Sequence, residues 1–193
     1  VIFVLVGIGY MFFPQYFRLG NLIKNQDNSL TTFSNDTYGF ALSYPRSLSP
    51  KETFAQFHAL QKNWRVEVSD ESKGTPLVSI PVFSVDQGGV ATGKDYPLYF
   101  NTEMRIGVSA DPVEVKNCLK PDPNYTSQPQ TDVTINGIQF KKFSIQNAAM
   151  MQYIQGESYR TVHNNMCYAI EQIKVGSNYF DETMKQGISD ETL

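Results

Sequence analysis

Residues that carry chemistry are scarce in this chain. Its 193 residues include two histidines, two cysteines and one tryptophan. His58 and His163 cannot supply a histidine-rich zinc site, and no local spacing gathers a tight set of metal ligands. The 16 basic side chains are scattered through a chain of net charge -3, with no positive stripe to neutralise phosphates, which argues against nucleic acid as a partner. Gly88, Gly93 and Lys94 match a phosphate-cradling loop, but Asp95 stands where Ser or Thr must hold magnesium. Asp95 would repel phosphate, and Pro97 opposes the helix that should follow, so no nucleotide or other cofactor is expected. The Asp and Glu residues form no local dyad of the kind glycosidases use. No residue is therefore assigned a catalytic, cofactor-binding or metal role, and an enzyme is the less expected outcome.

Charge is also missing from Val1 to Phe13, a run of Val, Ile, Leu, Phe and Met with Gly7, Gly9 and Tyr10 among them, which Pro14 and Gln15 end. Such a run has to leave water. As a helix it would be about 20 Å long, short of the roughly 30 Å hydrocarbon core of a bilayer. Residues 1–17 are read as an uncleaved transmembrane anchor whose beginning is missing, with Tyr10, Phe12, Phe13, Tyr16 and Phe17 as an interfacial aromatic belt. A buried core helix or strand is the alternative. Arg18 and Lys24 follow directly and weakly favour a cytoplasmic side by the positive-inside rule. Residues 18–36 are polar and Asn-rich and read as a linker.

What is plentiful points to a sheet. Hydrophobic residues make up 41% of the chain and aromatic ones 13%, enough for one domain with a real core over residues 37–193. Tyr38, Phe40, Leu42 and Tyr44 alternate with small residues as a strand does, and Pro45 ends the pattern. Ser49, Pro50 and Glu52 have capping-box spacing, and Phe54, Phe57 and Leu60 could line one helical face, so a helix is expected over 50–61, with a strand as the alternative from Thr53. Strands are expected over Trp64 to Val68, Leu77 to Val85 with an edge or bulge at Pro81, and Thr102 to Val108. Asp111, Pro112 and Glu114 predict a short helix to about Leu119, with Val115, Cys118 and Leu119 facing inward. Residues 121–130 read as a loop. Asn136-Gly137 and Asn164-Asn165 predict two hairpin turns, the second joining Met150 to His163 with Met166 to Val175. Met150, Met151 and Tyr153 are expected in the core rather than as a sticky surface. The sum is an α+β domain, an antiparallel β-sheet packed with a few helices.

Cys118 and Cys167 are the only cysteines, and a disulfide explains both. Two buried free thiols are one alternative and a Cys167 nucleophile with His163 another, although four residues across a hairpin turn tend not to face each other. Tyr159, Arg160 and His163 are retained as surface or pocket candidates.

The segment Tyr38-Gly39-Phe40-Ala41-Leu42-Ser43-Tyr44-Pro45 resembles the first strand of PsbP-like domains. Asn63-Trp64-Arg65, Arg105 to Ser109, Asn117-Cys118, Ile135-Asn136-Gly137 and Ser158 to Asn165 are similar to stretches of membrane-anchored proteins of candidate-phylum bacteria. The resemblance covers most of residues 37–180 and brings no assigned activity. It implies a PsbP-like fold, whose usual closing helix and strand would here be truncated, and with the cysteine pair it places the domain on the extracytoplasmic side of a cell membrane. The reading favoured is a non-enzymatic, anchored binding or assembly module that docks on an envelope protein or captures an unknown small molecule. The rivals are a small hydrolase built around His163, Ser158 and an acid, and a carrier with an apolar cavity.

Overall fold

The computed structural model describes residues 2–5, 29–69, 71–87, 98–121 and 129–177. The chain divides into two compact units, and the described residues up to Ser49 belong to the first and those from Pro50 on to the second.

In the first unit, β1 (Ile2–Leu5) runs parallel to β3 (Phe40–Pro45), and β2 (Leu30–Asn35) pairs with β3 on its other side, antiparallel. Two sequence expectations change here. Leu30–Asn35 lies in the stretch read as linker and is a strand, with Thr32 and Phe33 opposite Ser43 and Leu42. Within the segment read as a helical anchor, Ile2–Leu5 is also a strand, and the rest of that segment lies outside the described residues. Among the described residues no helix is long and apolar enough to cross a membrane. Tyr38 and Gly39 belong to the turn before β3, where Gly39 takes a φ of 59°. The buried part of β3 is the consecutive run Phe40, Ala41 and Leu42, not the alternating one.

The second unit is a six-stranded sheet of β4 (Thr75–Gln87), β5 (Leu98–Ser109), β6 (Pro129–Ile135), β7 (Ile138–Ala149), β8 (Gln152–His163) and β9 (Met166–Ser177). Spatial order is β4-β5-β9-β8-β7-β6, every neighbouring pair antiparallel. The last strand among the described residues, β9, is therefore placed between β5 and β8. Pro76 and Pro81 sit on the edge strand β4, each at a register shift, where a missing amide costs no ladder bond. Asn136-Gly137 and Asn164-Asn165 close their hairpins with positive φ at both residues, as two-residue turns require.

This architecture overturns the α+β expectation: the fold is mainly β. The one helix among the described residues is α1 (Pro112–Asn117), and it starts as its sequence predicts. The Asp111 carboxylate accepts from the amides of Val113 at 2.8 Å and Glu114 at 3.4 Å, with Pro112 at the first helical position. Leu119, expected to face inward, is exposed.

No helix forms over 50–61. Lys51 instead bridges to Ser79 of β4, Phe57 bridges to Leu60, and His58 between them has a φ of 48°. Trp64 to Val68 is a succession of bends, not a strand. Residues 50–74 thus form an irregular strap over one face of the sheet. Leu60 and Val66 pack with Tyr99, Ile145, Ile154, Ile173 and Val175. Further along, Trp64 packs with Ala169 and the two cysteines. The approach is close enough that a Cβ at residue 107 would lie 1.8 Å from the Trp64 carbonyl oxygen, so only glycine fits there.

Candidate functional site

The cysteine pair is a disulfide, with Cα atoms 5.7 Å apart and a sequence separation of 49. Closing a loop of that length stabilises the fold by about 4 kcal/mol in the chain-entropy account. It joins the C-cap of α1 to the start of β9 beneath Trp64 and Val115. Both sulfurs are buried and bonded, so Cys167 is not a nucleophile, and its cross-strand neighbour is Val162 rather than His163.

Alternation along strands decides where the remaining candidates point. Ser158 and Arg160 share the strap-covered face with Glu103, Arg105 and Glu171. Tyr159 and His163 lie on the opposite face. The three sequence candidates are therefore not brought together. His163 is also about 16 Å along the strand from Ser158, so the imagined hydrolase set of His163, Ser158 and an acid does not form.

The covered face instead holds a sealed ionic cluster. Arg65, Glu67, Glu103, Arg105, Arg160 and Glu171 are each at most 8% exposed. Glu171 accepts from the Val66 amide at 2.8 Å and the Ser158 hydroxyl at 3.0 Å, and Arg160 Nε donates to the same hydroxyl at 3.1 Å. Burial pushes the Glu171 carboxyl above its ordinary value, against the opposing pull of the Val66 amide, Arg160, Arg65 and Ser158. Arg105 donates through Nε to Glu103, and through its other nitrogens to the carbonyls of Gln61 at 2.5 Å and Ala55 at 2.8 Å. Burial lowers its pKa and Glu103 opposes the change. Glu103 also accepts from Ser79 at 3.1 Å.

At the other end of the strap, Trp64 Nε1 donates to Ser72 at 2.8 Å and Ser72 donates to Glu114 at 2.7 Å. Chemically the cluster satisfies polar backbone in a segment with no ladder of its own. Ser158 has a carboxylate partner but no exposure, so a substrate cannot reach it.

Two smaller polar groups lie elsewhere. On the opposite face the Tyr159 hydroxyl donates to Glu157, which also pairs with Lys142. Burial and the Glu157 contact raise the Tyr159 pKa, which suits a structural hydroxyl better than a base. Beside β4, the His58 ring stacks on Tyr99 at 3.5 Å and its Nε2 lies 3.3 Å from Asp86. Burial and Asp86 push the Tyr99 pKa up to about 12. Among the described residues no group of three His, Cys, Asp or Glu could hold a metal ion. Gly88, Gly93, Lys94 and Asp95 lie outside the described residues.

One feature is open to solvent where the sequence predicted a core. Met150 and Met151 form the β7–β8 turn with φ of 50° and 63° and are 94% and 47% exposed, whereas Tyr153 is buried. The turn was not predicted because methionine is a poor residue for it; Asn and Gly fit such φ values with less strain. Around it, Phe143 to Gly156 contains no charged residue. Arg105, Glu103 and Glu171 were missed for another reason. The polar positions of β5 look like a solvent face, and only the nearly unbroken apolar run of β9 around Glu171 signals a strand buried on both sides.

Comparison with protein-family models, curated proteins and solved structures gives no match to this chain.

Proposed function

We propose that this chain is a membrane-tethered, extracytoplasmic binding or assembly module that works without catalysis, and that it docks on a protein partner through the Met150–Met151 turn. The exposed methionine pair carries the reading. Two adaptable thioether side chains stand at the apex of a hairpin end with no charge, and the sheet behind them is braced by a disulfide and an ionic cluster. A neutral apolar cleft on an envelope protein fits that tip better than a lipid headgroup layer, because the tip offers neither a basic side chain nor an exposed aromatic ring. The tether rests on the uncharged sequence of the opening run, although its Ile2–Leu5 part is a strand paired with β3, and the address rests on the buried disulfide.

The test compares the intact chain with Met150→Asp/Met151→Asp and with His163→Ala in affinity capture from detergent-solubilised envelope. A stoichiometric protein held by wild type and His163→Ala and lost by the Asp pair supports the reading. A partner indifferent to the tip, or binding of the tip to protein-free phospholipid vesicles, would replace it.

A further inference from the structure

The same turn has a second chemical property. Both methionines have left-handed backbone conformations at the outermost point of a two-residue turn, where Met150 is almost fully exposed and Met151 half so. Their neighbours Ala148 and Ala149 are too small to shield them. The other described methionines are placed differently. Met104 is half-buried within β5, and Met166 is half-buried with its sulfur 4.0 Å from the Tyr168 hydroxyl.

We infer that Met150, with Met151 beside it, is an oxidative modification site that takes one oxygen atom from a two-electron oxidant of the peroxide class. The thioether sulfur attacks the terminal peroxide oxygen and the O–O bond breaks. The sulfur is oxidised to a sulfoxide while the peroxide is reduced, and the departing oxygen takes the hydroxyl proton and leaves as water from hydrogen peroxide or as an alcohol from an alkyl hydroperoxide. The sulfoxide is a polar acceptor that must keep a hydrogen-bond partner, so a modified tip loses its fit to an apolar cleft. This second consequence rests on the docking reading above. Docking to the same partner falls by about tenfold on modification.

The intact chain is treated with dilute hydrogen peroxide under native conditions, and oxidation is mapped by peptide mass over time. Met150 gains about 16 Da first and Met151 follows, both about tenfold faster than Met104 and Met166, and the differences vanish in denaturant. Emission from Trp64, the only tryptophan, stays unchanged through the fast phase and shows that the fold is intact. Met104 or Met166 keeping pace with Met150 in the native chain overturns the inference. So does a fast phase that survives in Met150→Leu/Met151→Leu. Unchanged partner capture after tip oxidation overturns the effect on docking. The mass map needs no partner, so its outcome is separable from a failure of the docking reading.

Discussion

Between the strap and the sheet, three arginines and three glutamates are sealed from water; at the β7–β8 end of that sheet, two methionines stand in it. Each placement is costly by ordinary rules, and the costs have different causes. Burying charge is tolerated where it answers a need of the irregular segment. Arg105 satisfies the carbonyls of Ala55 and Gln61, and Glu171 satisfies the amide of Val66. Among the described residues the methionines answer no such polar need. Their turn would form more readily with Asn and Gly, as it does at Asn136-Gly137 at the other end of β7. Internal polar need accounts for the first exception, and an external contact is the natural account of the second.

Arg105→Ala attacks the charged side of this contrast most directly. It leaves Glu103 buried without its cation and two strap carbonyls without a donor, and should cost about 3–5 kcal/mol in urea unfolding followed by Trp64 emission. Replacing both partners, as Glu103→Leu/Arg105→Met, should recover the part due to the unpaired carboxylate and leave the part due to the two strap carbonyls. A single variant within about 1 kcal/mol of wild type would mean that the cluster does not hold the strap.

Glu171→Gln sharpens the comparison through pH. The carboxyl titrates near 4.5 when unperturbed and higher in the fold, so between those values the folded chain holds a proton that the unfolded chain has released. Its contribution to stability is complete below about 4.5 and is lost as pH rises through the folded value. The variant should match wild type at low pH and gain on it as pH rises through the raised folded value toward neutrality. A difference constant across the pH range contradicts the raised pKa.

The smallest expected effect is at the tip. Met150→Asn/Met151→Gly relieves two left-handed methionines and should stabilise the chain by about 1 kcal/mol in thermal unfolding while abolishing docking. Destabilisation would show that the methionines pack where they stand.

How far the fold can be read from sequence follows the same division. Where local chemistry and tertiary structure agree, as at Asp111-Pro112, Asn136-Gly137 and the alternation of Thr102 to Val108, the elements are legible. The disulfide was readable because two cysteines leave only one pairing. The helix expected over 50–61 failed although its cap spacing and apolar positions were sound, because the bonds that decide that segment come from Arg105 and Ser79, far away in sequence. No window along the chain contains that information. The candidate site was less legible still. Tyr159 and Arg160 are neighbours in sequence and point to opposite faces, while Met150 and Met151 break the turn preference that would have located them.

The disulfide also has a bearing on how the sheet is reached. Pairing β5 with β9 brings Glu103 opposite Ile173, a distant match that an open chain finds slowly because a long loop must close before any contact rewards it. Cys118 lies shortly after β5, and Cys167 is the residue opposite Ser109 at the start of β9. Once the sulfurs are joined, the path between the two strands runs through the bridge, and the most distant strand pairing among the described residues becomes a short search. An oxidised chain should therefore refold faster than a reduced one, in addition to being more stable, so the compartment that forms the bond also helps to set how quickly the sheet assembles.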